Sequence, residues 1–175
     1  MTPWFIATEK FDQSDAGWRK YIAWSGLEQL GELVSLDGSL CPTVLPDIKP
    51  EYWNHIVNQD FMLHFFVDLD YLRHETADIQ RKNLLGVFRN PPGHPNLEVR
   101  ERFEFSGYDL VDKDSSSSAL TNCGGFPEVF SNAELSENWH FKTHERSGEV
   151  QDALRQGYPN EHHADCHLWA ISRCQ

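Results

Sequence analysis

The stretch Phe103–Phe130, FEFSGYDLVDKDSSSSALTNCGGFPEVF, switches the parity of its apolar residues part-way along, and this constrains the fold more than any other feature of the chain. Phe103 and Phe105 alternate with Glu104, the period-two pattern of a half-buried strand. After Ser106-Gly107 the apolar set continues on even positions, as Tyr108 and Leu110. A continuous strand would then turn its second half inside out, because a one-residue shift moves every side chain to the opposite face. A β-bulge at Ser106-Gly107 restores the pattern, and glycine suits the backbone of such a bulge. Asp112–Ser116 supplies polar turn chemistry. Ala119–Cys123 reads as a returning strand ended by Gly124-Gly125, so the stretch predicts a long antiparallel hairpin.

Around it, Trp4–Thr8 reads as a short apolar strand. Asp12 can cap a helix that carries Trp18, Tyr21 and Ile22 on one face and stops at Gly26. Leu33–Leu36 predicts a strand turned by Asp37-Gly38, and Cys41–Pro50, with three prolines, an extended loop. Pro50 suits the first position of a helix to about Val57. Phe61–Val67 fits either a helix face or a buried strand. A helix is expected from Asp68 to about Gln80, then a strand over Leu84–Phe88 terminated by Asn90-Pro91-Pro92-Gly93. Ser131 and Glu134 form a capping-box pattern. A longer helix should end at Tyr158-Pro159, with Val150, Ala153, Leu154, Gly157 and Tyr158 as its buried stripe, and Cys166–Ser172 alternates as a last strand. Strands and helices intermix without a regular β-α rhythm. The expected class is α+β: a mostly antiparallel sheet of about five to six strands with helices packed against it, one domain over residues 1–175.

Charge bounds the partners. The 175 residues carry 27 acids against 15 Lys and Arg, a formal charge of −12. That sign argues against a nucleic-acid backbone, which needs a basic stripe, and favours a basic protein partner. The start, MTPWFIATEKF, lacks a basic segment followed by an apolar one, and no apolar run is long enough to span a bilayer. The four cysteines, Cys41, Cys123, Cys166 and Cys174, are widely spaced without C-x-x-C. These observations predict reduced thiols in a cytoplasmic protein without membrane association.

Four features could carry chemistry. The densest is His162-His163-x-Asp165-Cys166-His167, with His140 and His144 upstream at the i,i+4 spacing that lets one helix face chelate a metal such as zinc. In the related H-E-x-x-H pattern a glutamate follows the first histidine, and here Phe141 stands there. A polar helix surface and a polar loop explain the same residues. Asp68-Leu69-Asp70 follows an apolar run, as in some magnesium-dependent phosphotransferases, yet Asp68 as a helix N-cap accounts for it equally. Cys123, at a strand end before two glycines, could be a nucleophile if a histidine approached it, although glycines end strands for backbone reasons alone. Trp24 falls off the face that Trp18 and Ile22 share, which suits an interface.

The segments GYDLVD, SALTNCGGFPEVF and YPNEHHADCHLWAISR resemble parts of a bacterial family of uncharacterised proteins. The resemblance covers the C-terminal half and attaches no activity. It implies a single bacterial cytoplasmic domain. Two functions are expected from the residues: a non-catalytic, regulatory or immunity-like module that engages a basic protein, or a small hydrolase using Cys123 or a metal held by the histidines.

Overall fold

The computed structural model describes residues 1–11, 19–20, 23, 32–44, 56–60 (backbone only), 63–97, 102–113, 117–121 and 125–175. The expected helix after Asp12, the body of the loop before Pro50 and the start of the helix after it, Trp24, and Cys123 lie outside the described residues.

Among the described residues six strands form one sheet: β1 (Trp4–Glu9), β2 (Ile56–Asp60), β3 (Leu63–Phe66), β4 (Lys82–Arg89), β5 (Phe103–Asp112) and β6 (Cys166–Cys174). Their spatial order is β2-β3-β1-β4-β6-β5, and every pairing is antiparallel. The helices described in full are α1 (Leu69–Glu75) and α2 (His144–Gly157). The α+β class is therefore met. No helix among the described residues is long and apolar enough to cross a membrane.

Period-two alternation sorts the strand side chains between two buried faces. Ile6, Leu85, Val87, Val111, Trp169 and Ile171 share a cluster with Val34, Leu36 and Phe65, where Phe65 stacks on Trp169 at 4.8 Å between centroids. On the other face, Tyr108, Leu110, Leu168 and Ala170 meet Val150 and Leu154 of α2. Phe5, Ala7 and Phe66 meet Leu69 and Leu72 of α1.

The bulge is where the parity change requires it. Phe105 pairs with Ser172 and Gly107 with Ile171, so Ser106 is the extra residue. Gly107 has φ +136°, and a Cβ there would lie 2.5 Å from His140 Cβ and 2.7 Å from the Phe141 carbonyl oxygen. The close approach arises because Tyr108 and Phe141 exchange both backbone hydrogen bonds, at 2.9 and 3.0 Å, along the outer edge of β5.

The hairpin itself needs correction. The partner of β5 is β6, and the expected returning strand reduces to one bridge, Val111 to Ser118. Ala119 N still donates to Leu110 O, but Ser118 and Thr121 turn to the buried carboxylates of Asp109 and Asp37 instead of extending the ladder. Leu33–Leu36 is not a strand either. It crosses the sheet face, burying Val34 and Leu36 against Ile6 and Trp169. Ile56 and Val57, expected at the end of a helix, belong to β2, and Leu63–Phe66 of the ambiguous run form strand β3.

Local capping explains the helices. Asp68 Oδ1 accepts from Tyr71 N at 3.0 Å, so this aspartate is the N-cap of α1. The helix stops short of Gln80, at Thr76, whose hydroxyl donates back to Leu72 O at 2.8 Å. Ser131 and Glu134 complete a capping box on a single 3-10 turn. Arg146 then ties that turn to α2 through Glu134 (2.6 Å) and Val129 O (3.0 Å). The buried stripe of α2 is Ser147, Val150 and Leu154; Ala153 and Gly157 are exposed.

Candidate functional site

Two groups of polar side chains stand out, one sealed in the interior and one lining a surface cleft. The sealed group centres on Asp37 and Asp109, both buried. Asp109 accepts from Ser35 Oγ at 2.9 Å, from Ser118 Oγ at 2.5 Å and from Leu110 N at 2.8 Å. Asp37 accepts from Thr121 Oγ1 at 2.7 Å, from Ser118 N at 3.1 Å and from Ser39 N at 2.9 Å. Ser35 Oγ also accepts from Asp37 N at 3.0 Å. Two carboxylates and two serines thus join segments far apart in sequence. A buried charge is costly unless paired or fully hydrogen-bonded, and here hydroxyls and amides supply the bonds.

Two buried histidines neighbour this group. His140 is fully buried, with Nδ1 3.1 Å from Ser106 Oγ. Burial pushes its imidazole below the ordinary range, with Asp109 opposing. His163 packs edge-on to Phe126 at 5.4 Å. Burial lowers its imidazole too, against the pull of Asp112 and Asp37. The Nε2 atoms of both rings are buried without a hydrogen-bond partner.

The cleft, of about 420 Å³, runs between α2, the start of β6 and the corner after β4. The corner shapes it. Asn90 adopts φ +47°, and its backbone N–H donates to Leu168 O at 2.6 Å while its Oδ1 accepts from Leu168 N at 2.9 Å. That bond fixes the amide, so Asn90 Nδ2 donates to His167 Nδ1 at 2.9 Å. Next in the chain, Pro91 O accepts from His144 Nε2 at 2.8 Å. Consecutive residues therefore pin two imidazoles and set their tautomers: neutral His167 carries its proton on Nε2, and neutral His144 keeps its lone pair on Nδ1. Lys113 and Arg155 also line the cleft. Lys113 pairs with Asp165, whose carboxyl it holds below the usual range.

The residues expected to bind metal are thus split. His144 precedes no helical partner at the i−4 position, because α2 begins at His144 with Thr143 as its cap and His140 lies in the preceding turn. His140 sits beside Ser106, whereas the His162–His167 group lies where Asp112 pairs with Cys166, about 20 Å further along β5 at roughly 3.3 Å per residue. His144, Asp165 and His167 do share the cleft; His162 lines a separate, smaller depression, and His163 faces Phe126. Among the described residues no group of three or more His, Cys, Asp or Glu is placed to hold a metal ion. Cys41 and Cys166 are buried thiols pushed up to about 12 by burial, unsuited to nucleophilic work.

Sequence reading missed Asp37, Asp109, Lys113, Asn90 and Arg155. Asp109 carried a usable signal: it interrupts an apolar run, Tyr108 to Val111, and a charge within a strand buried on both faces needs partners. Comparison with family models, with curated proteins and with solved structures found no match.

Proposed function

We propose that this protein is a non-catalytic binding module, regulatory or immunity-like, that engages a basic surface on a partner protein. The observation that carries this reading is the charge of α2 and the turns beside it. Residues 125–165 hold eight acids against three Lys and Arg. Two of those three cations are already paired locally, Arg146 with Glu134 and Glu149, and Arg155 with Asp152. Glu128, Glu137, Glu145 and Glu161 are exposed. Such a surface raises the encounter rate with a cationic partner and repels acidic competitors. The reading takes the chain as a single cytoplasmic α+β domain.

Titration against a panel of basic proteins tests it. Binding should weaken with salt, and Glu128→Lys with Glu145→Lys should slow association. Binding indifferent to both changes overturns electrostatic recognition.

One observation favours a second reading, a small hydrolase acting through Cys123. Near Cys123 in sequence, Thr121 donates to Asp37 and Phe126 packs on His163. A hydrolytic activity that survives Cys123→Ala excludes the thiol version. Purified protein devoid of zinc or manganese excludes the metal version.

A further inference from the structure

We propose that the open end of β5, at Phe103–Phe105, receives an extended segment of a basic protein, which joins the sheet as a further strand. β5 is the last strand on its side of the sheet. Beyond the bulge its outer edge is covered, by the Tyr108–Phe141 pair and by the bonds from Asp112 and Ala119. Before the bulge it is open. Gln175 N donates to Arg102 O across the β5–β6 ladder. By alternation Arg102 and Glu104 turn their backbone groups towards β6, and Phe103 and Phe105 turn theirs outward. Among the described residues nothing bonds those four outward groups. Unpaired edge amides and carbonyls two residues apart are what an added strand uses.

Charge selects the occupant. A cavity of about 590 Å³ lies beside this edge, where Glu104 faces Arg173 across the ladder. Its walls hold three carboxylates, Glu32, Glu104 and Glu137, against the one guanidinium of Arg173. That guanidinium is already engaged, forked onto Glu32 at 2.6 and 3.1 Å. Glu104 accepts from the neutral amide of Gln175 at 2.6 Å. Neither Glu104 nor Glu137 is paired with a cation among the described residues. Both are exposed. A basic side chain opposite Glu104 makes an opposite-charge cross-strand pair and reaches the same cavity, and the planar fork of arginine matches a carboxylate best. A second copy suits the edge poorly. Pairing β5 with β5 would set Glu104 against a like charge, in a molecule already at −12. The occupant is a segment of the basic partner proposed above, and the inference rests on that reading.

The probe is a short blocked peptide alternating arginine with threonine, followed on the full chain by amide hydrogen exchange at Phe103 and Phe105. The expected result is saturable slowing of exchange at both amides. A twin peptide methylated on its threonine amides, the groups that would face β5, should give none. Glu137→Lys, on an exposed turn, should weaken binding about tenfold through the loss of one charge-assisted contact. Glu128→Lys with Glu145→Lys lies outside the cavity and should leave the protection in place. A peptide that binds without protecting Phe103 and Phe105, or equal binding by the methylated twin, would overturn the added strand while leaving electrostatic recognition standing. Wild-type affinity in Glu137→Lys would overturn the choice of a basic occupant. Protection that rises with protein concentration in the absence of peptide would assign the edge to a second copy and overturn the proposal. No binding by the peptide at all would overturn it as well.

Discussion

Gly107 and His140 approach so closely that a methyl group on the glycine would stand 2.5 Å from the histidine Cβ. The contact couples the bulge in β5 to the turn that leads into α2. Glycine is required twice over here, by the φ of +136° and by the space. Gly107→Ala should therefore cost about 2–4 kcal/mol, combining backbone strain with displacement of the His140–Phe141 segment. Gly148→Ala is the contrasting case, an open helical position where alanine should add about 0.5–1 kcal/mol. Urea midpoints of the two variants should move in opposite directions, and a shift in the same direction would refute this account of the bulge.

Asp109→Ala should destabilise the protein by about 2–5 kcal/mol, because the hydroxyls of Ser35 and Ser118 would lose their buried acceptor. Much of that loss comes from the stranded partners. The double variant Asp109→Ala with Ser118→Ala should consequently cost less than the sum of the singles. Strict additivity in a double-mutant cycle would show that the two side chains do not act together.

Stability should decline on acidification in two stages. His140 and His163 are held neutral in the fold, their imidazoles pushed below the ordinary 6.5 by burial. The unfolded chain then binds protons first, so stability is full above about pH 6.5 and falls as pH drops towards the folded values. Glu134 belongs to the second stage. Arg146 holds it below 4.5, so its small, solvent-screened contribution is present above that pH and fades as pH falls through the lowered value. Urea midpoints between about pH 8 and pH 5 read the first stage. A flat profile there would mean that neither histidine is buried neutral.

Cys41 and Cys166 should resist alkylation in the native protein at neutral pH and react fully only on unfolding. Their thiols are buried and pushed up to about 12, which leaves almost no thiolate. Mass spectrometry of protein labelled with iodoacetamide, before and after denaturation, separates the two states. Rapid native labelling of either residue would contradict its placement in the core.

Features written in local sequence were legible. The parity change at Ser106-Gly107 gave the bulge because side-chain period is a property of one strand alone. Asp68 and Ser131 gave caps because capping is decided within one turn. Strand partnership was not legible in that way. Ala119–Leu120 has the composition of a returning strand, but the β5 ladder goes to β6, some sixty residues on in sequence, and nothing local to either segment records that choice. The i,i+4 spacing of His140 and His144 failed for a related reason. Thr143 caps a helix that starts between them, so the spacing never becomes a helix face. The cleft was hidden because Asn90, Lys113, Arg155 and His167 come from four separate parts of the chain.

The outer edge of β5 is fastened by four backbone hydrogen bonds, two between Tyr108 and Phe141 and one each from Asp112 to Ser117 and from Ala119 to Leu110. These contacts occupy the groups that a foreign strand would use. Along Tyr108–Asp112, a second copy or an extended peptide cannot pair with β5 without first peeling away the turn before α2 and uncapping the carboxylates held by Ser118. The segments that spoil the expected hairpin thereby act as a guard against edge-to-edge aggregation.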